Sequence, residues 1–165
     1  MFKLKPLSRK GITAALAKAE RYRLLNEPRE AESICLDVLE IDPKNQKALV
    51  MLLLSITDEF GEGMSSEVKR ARELLPRLRK KYERAYYAGI ICERQAKAAL
   101  NRGIPGFKYD AYEWFREAME SFEKAEALRP PGNDDAILRW NTCARIIMRY
   151  NLTAKREESV EPVLE

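Results

Sequence analysis

The sequence predicts an all-α fold assembled from stacked pairs of helices. Three observations predict it. Ala118, Phe122, Ala125 and Pro130 stand at the same mutual spacing as Ala31, Cys35, Val38 and Pro43, and such an echo in a helical sequence signals repeated units that cannot bury their apolar faces alone. Apolar residues recur at i, i+3, i+4 and i+7 along most of the chain, the stripe of a half-buried helix. Between the stripes stand breakers: Asn26-Glu27-Pro28, Asp42-Pro43, Gly61-Glu62-Gly63, Gly103 to Gly106 and Pro130-Pro131-Gly132.

A first helix is expected from about Ser8 to Leu25, with Ile12, Ala15, Leu16, Ala19 and Tyr22 on one side. Pro28 restarts the chain, since proline suits the first helical turn. The second helix then carries Ala31, Ile34, Cys35, Val38 and Leu39. So short a turn requires the two to pack antiparallel. A third helix opens near Asn45 and runs to about Phe60. Its segment Ala48 to Leu54 is apolar all round, so it must be surrounded. Ser65 and Ser66 are placed to cap a fourth helix, whose stripe of Val68, Ala71, Leu75, Leu78 and Tyr82 is interrupted by Pro76, which should kink or divide it. The fifth runs from about Glu83 to Leu100, with Gly89 as a small residue that lets two helices approach closely. A linker from Gly103 to Phe107 follows. Asp110 and Glu113 have the spacing of a capping box for a sixth helix ending at Leu128. A seventh, from about Asp134 to Tyr150, has no partner and would cover the last exposed face. The domain is expected to span 1–152. Residues 153–165, with four glutamates and Pro162, read as a flexible acidic tail.

The pattern of small Ala19, Tyr22, then Ala31-x3-Cys35-x2-Val38-x4-Pro43 resembles the tetratricopeptide repeat, a helix-turn-helix unit. The resemblance covers roughly residues 8–150, with two insertions. It implies a right-handed solenoid of about three repeats plus a capping helix, acting as a non-catalytic adaptor, scaffold or chaperone-like module. It also implies that the first helices of successive repeats line a concave groove for a peptide segment of a partner. Carried across position by position, that groove is Leu16, Glu20 and Arg23 from the first repeat, Val50, Leu54 and Thr57 from the second, and Tyr86, Tyr87, Ile90 and Arg94 from the third. The alternative is that these residues are core, covered by the chain's own Phe2, Leu4 and Leu7: Tyr86 and Tyr87 fit either place, and Leu54 fits the core better. One subgroup of the family clamps a C-terminal carboxylate with Lys and Asn; here Leu16, Glu20 and Met51 stand at matching places, which argues against acidic chaperone tails as partners.

Composition narrows the alternatives. With 165 residues the chain can bury about 70% of its unfolded surface, enough for one self-standing domain. Histidine is absent, which removes the commonest general base and metal ligand. Cys35, Cys92 and Cys143 lack any zinc-ligand spacing and read as core residues of a reducing compartment. No cofactor or metal is implied. The apolar runs are far shorter than the roughly 20 residues that cross a bilayer, so a cytoplasmic protein, monomeric or weakly dimeric, is expected. The net charge of +4 permits an anionic partner without requiring one. Residues 69–84 hold eight basic and two acidic side chains; with Tyr82, Tyr86 and Tyr87 nearby, a basic helix for nucleic acid is the alternative function. A solvated helix face opposite Val68, Ala71, Leu75 and Leu78 explains Arg70, Arg77, Lys81 and Arg84 more simply. The aromatic cluster Phe107, Tyr109, Tyr112, Trp114 and Phe115 reads as an insertion, either a docking edge or one pinned to the scaffold.

Overall fold

The computed structural model describes residues 1–61 and 64–156, and all regular structure among them is helical. Glu62 and Gly63 of the predicted third break, and residues 157–165 of the predicted tail, lie outside the described residues. The helices are α1 (Ile12–Leu24), α2 (Pro28–Ile41), α3 (Gln46–Asp58), α4 (Ser65–Leu74), α5 (Lys81–Arg102), α6 (Phe107–Leu128) and α7 (Asp135–Arg149).

Local chemistry explains most of the boundaries. Before α1 the chain makes one 3-10 turn, Arg9–Gly11, in which the Ser8 hydroxyl accepts the Gly11 N–H at 3.2 Å. Asn26 takes a left-handed backbone conformation (φ 59°) after α1, and Pro28 opens α2 at a position where no N–H is needed. The side chain of Asn45 accepts the Ala48 N–H at 3.0 Å, which starts α3 where the sequence placed it. Most of α3 is enclosed, with Ala48, Leu49, Leu52, Leu53, Ser55, Ile56 and Thr57 buried, but Val50, Met51 and Leu54 of the apolar segment stay half-buried, so it is not surrounded on every side. The two hydroxyls are satisfied inside the helix, Ser55 donating to the Met51 carbonyl at 2.7 Å and Thr57 to that of Leu54 at 2.8 Å.

Four expectations are corrected. Ser65 and Ser66 lie inside the first turn of α4 and do not cap it; Ser66 instead donates to Glu67 at 2.8 Å. The fourth helix does not reach Tyr82. Pro76 divides it, so that α4 stops at Leu74, a 3-10 turn spans Leu75–Arg77, Leu78 is extended, and Tyr82 belongs to α5. The Asp110–Glu113 capping box does not form, because α6 begins three residues earlier at Phe107. The aromatic cluster is therefore the first turns of a 22-residue helix rather than an inserted loop. Only a short turn, with Gly103 left-handed at φ 64°, separates it from the equally long α5.

Each helix packs on its chain neighbours, and α3 also touches both α1 and α5. Two apolar cores result. The first joins α1 to α4 with Leu78 and Ile91; the second joins α5 to α7 with Leu152; Leu54 and Tyr87 pack against both. The sequence echo has the same physical role in each half, since Ala31, Cys35 and Val38 in the first core match Ala118, Phe122 and Ala125 in the second, all fully buried. The three cysteines are unpaired and buried, and burial pushes the thiols of Cys35 and Cys143 up to about 12.

Gly89 is where α5 meets α6. A Cβ there would stand 2.5 to 2.9 Å from three ring atoms of Phe122, which is itself fully buried. Alanine would gain about 0.5–1 kcal/mol of helix preference, but overpacking a rigid ring costs about 1–3 kcal/mol. Gly89→Ala is thus expected to lower the stability by about 1–2 kcal/mol, read as a midpoint shift in urea at unchanged slope.

A buried charge ties α5 to α7. Glu93 is wholly inaccessible; it accepts from Arg139 at 3.1 Å, lies 3.5 Å from the Lys97 ammonium, and faces the Cys143 thiol at 3.7 Å.

Candidate functional site

A cleft of about 590 Å³ opens between α1, α3 and the start of α5. Its floor is apolar, from Ile12, Leu16, Val50, Met51 and Tyr87; Thr13, Ala17, Glu20, Lys47 and Glu83 stand around it. These residues share a cleft because α1 packs on α3 and α3 on α5. Positions one turn apart on each helix therefore line up side by side.

The wall contributed by α5 is set by polar contacts that begin in α3. Gln46 donates to the Arg77 carbonyl at 3.3 Å and accepts the Arg79 N–H at 3.0 Å, while Arg77 reaches the Pro43 carbonyl at 2.9 Å. From the other side Arg84 donates to the carbonyls of Leu78 and Arg79 at 2.7 and 2.9 Å. These bonds fix the extended link between α4 and α5 against the N-terminal end of α3, and so fix where Glu83 and Tyr87 project. The basic stretch 69–84 consequently does not form one helical face. Arg70 pairs with Glu32, and Arg72 reaches the Cys92 sulfur and Gln95 at 3.4 Å each. Together with Arg77 and Arg84, four of its cations are engaged within the chain. Lys69, at the stretch's first position, lies 3.9 Å from Glu73.

The ten positions carried over from the family separate into three groups. Leu16, Glu20, Val50 and Tyr87 line the cleft. Arg23 and Arg94 lie farther along the same helices and converge on Asp58, Arg23 at 2.7 and 3.3 Å and Arg94 at 3.6 Å. They tie α1, α3 and α5 together beyond the cleft. Leu54, Thr57, Tyr86 and Ile90 do not reach it. Thr57 and Ile90 are buried, Leu54 bridges the two cores, and Tyr86 packs between Tyr82 and Phe122, with ring centroids 5.8 Å from each. Tyr86 and Tyr87 meet edge to face at 5.1 Å, as adjacent helix positions pointing to different neighbours. Tyr87 is deep enough that burial pushes its phenol up to about 12.

No family model matches the chain, no curated protein matches it, and no solved structure matches it. The cleft is therefore judged on its own chemistry.

Sequence reasoning placed Met51 at a clamp position but missed Ile12, Ala17, Lys47 and Glu83 as lining residues. Ile12 could have been found from its spacing to Leu16; Glu83 required the break at Pro76 to be placed correctly. Phe2 and Leu4 do not cover the cleft: both are exposed, and only Leu7 joins the first core. A second cleft, about 500 Å³, lies at the far end between α5, α6 and α7, lined by Leu100, Phe107, Ile146 and Tyr150 with Lys97, Lys108 and Arg149. Among the described residues, no helix is long and apolar enough to cross a membrane.

Proposed function

We propose that the chain is a tetratricopeptide-like right-handed stack, with α1–α2, α3–α4 and α5–α6 as its repeats and α7 as its cap. Its function on this reading is to hold an extended peptide segment of a partner protein in the cleft between α1, α3 and α5. It is a cytoplasmic, non-catalytic adaptor or chaperone-like module. The observation that carries the reading is the cleft itself: an apolar floor with charges at its edge, on the three helices that the resemblance designates as inner. An apolar centre rimmed by polar groups is the usual anatomy of a protein-binding site. Nucleic acid is the weaker reading, because Arg70, Arg72, Arg77 and Arg84 are engaged with the chain's own acceptors.

Ala17 provides the test. It is exposed and lines the cleft, so Ala17→Trp fills the space without entering the core, and its effect on stability is expected within about 0.5 kcal/mol. Peptides selected from a random display library on the wild-type chain should bind Ala17→Trp at least about tenfold more weakly, a loss of about 1.4 kcal/mol. Equal binding to a normally folded Ala17→Trp would remove the cleft from the account.

A further inference from the structure

The segment before α1 presents a feature that folding alone does not explain. Phe2 is fully exposed and Leu4 is 84% exposed, on a stretch without helix or strand. Phe2 and Leu4 alternate in sequence with Lys3 and Lys5, so binding in an extended form would put the two apolar side chains on one side and the two cations on the other. The arm is anchored at Leu7, which with Ile34 and Asp37 lines a hollow between α1 and α2, away from the cleft. Pro6, adjoining this anchor, stiffens the exit of the arm.

The chain thus carries an exposed apolar arm and an apolar cleft. Their charges are complementary. Lys3 and Lys5 flank the arm, while Glu20 and Glu83 against the single cation Lys47 leave the cleft lining net negative. The helix ends bordering the cleft do not reverse this. Asn45 already caps α3, and Glu83 stands in the first turn of α5.

We infer that the arm of a second copy of this chain occupies the cleft, with Phe2 and Leu4 on Leu16, Val50 and Tyr87, and Lys3 and Lys5 toward Glu20 and Glu83. Reciprocal exchange gives a two-fold dimer in which each arm fills the other copy's cleft. The inference rests on the proposed peptide-binding role of the cleft and names one occupant for it. A partner segment and the arm then compete, so self-association holds the site closed until a better ligand arrives.

Charge reversal on the full chain tests the arrangement by sedimentation over a range of concentrations at low salt. The wild type should dimerise with rising concentration. K3E/K5E alone and E20K/E83K alone should each raise the dimer dissociation constant about tenfold or more, because like charges then face each other. An equimolar mixture of the two should regain dimerisation, since each arm then meets a rim of opposite sign. F2S/L4S, which alters only exposed residues and leaves the helices untouched, should be monomeric. A wild type that stays monomeric throughout, a mixture that fails to reassociate, or dimerisation unaffected by F2S/L4S would each overturn the inference. If arm variants change nothing while selected peptides still lose affinity for Ala17→Trp, the arm is rejected and the peptide-binding cleft stands. If Ala17→Trp also leaves peptide binding unchanged, the cleft itself is rejected.

Discussion

Arg139→Met is expected to lower the stability of the chain by about 3 kcal/mol, the low end of the range for leaving one member of a buried ion pair alone. Glu93 has no solvent access, and its oxygens face Arg139, Lys97 and the Cys143 thiol. Without the guanidinium, Lys97 at 3.5 Å is the cation that remains, which keeps the loss from being larger. Glu93→Leu should behave differently. It removes the buried charge, and the side chains of Lys97 and Arg139, each 36% exposed, can turn to water. Its expected cost is below about 1 kcal/mol, because a well-packed apolar side chain often replaces a buried ion without loss. Urea denaturation of both variants reads the contrast. If Glu93→Leu is the more damaging, the pair stabilises α7 on α5 by more than mutual neutralisation.

Adjacent tyrosines give the second large contrast. Tyr86 is half-buried and packs among Tyr82, Tyr87 and Phe122 on the second core, so Tyr86→Ala should cost about 3 kcal/mol, the low end for truncating a large aromatic ring. At this chain length that is roughly 6–12 °C in midpoint. Its affinity for cleft-selected peptides, measured below the melting range, should be unchanged. Tyr87 packs on both cores and also lines the cleft. Tyr87→Ala should therefore lose a similar amount of stability and, in addition, about 1–4 kcal/mol of peptide affinity, the range for an interface anchor. Affinity that depends on Tyr86 as strongly as on Tyr87 would put the binding surface on the wrong side of α5.

Helices could be read from the sequence because their signals are local. Pro28, Asn45 and the stripe Ala31-Cys35-Val38 each act within one or two turns, and the structure places them as their chemistry demands. Gly89 was legible for the same reason, as a small residue in a stripe otherwise built of larger ones. The start of α6 was not. Gly106 precedes a run in which Ala111 and Phe115 gain burial against α5, and that tertiary gain extends the helix past the local capping signal at Asp110. Pairing of charges was equally out of reach. Glu93 resembles any other glutamate on a helix until α7 brings Arg139 over it, 46 residues later. For the cleft, the positions taken from the resemblance fall on α1, α3 and α5, but on α5 only Tyr87 of the four lines it. Tyr86 and Tyr87 are adjacent, 100° apart around the helix, and only the packing of Tyr86 on Phe122 decides which one is turned to the opening.

Methyl-resolved NMR of the full chain, titrated with a peptide selected on the wild type, locates the binding surface directly. Occupation of the cleft should shift the methyl signals of Ile12, Leu16, Val50 and Met51 and leave those of Leu100 and Ile146 unmoved. Shifts confined to Leu100 and Ile146, at the far cleft beside Phe107 and Tyr150, would contradict the assignment of function to α1, α3 and α5.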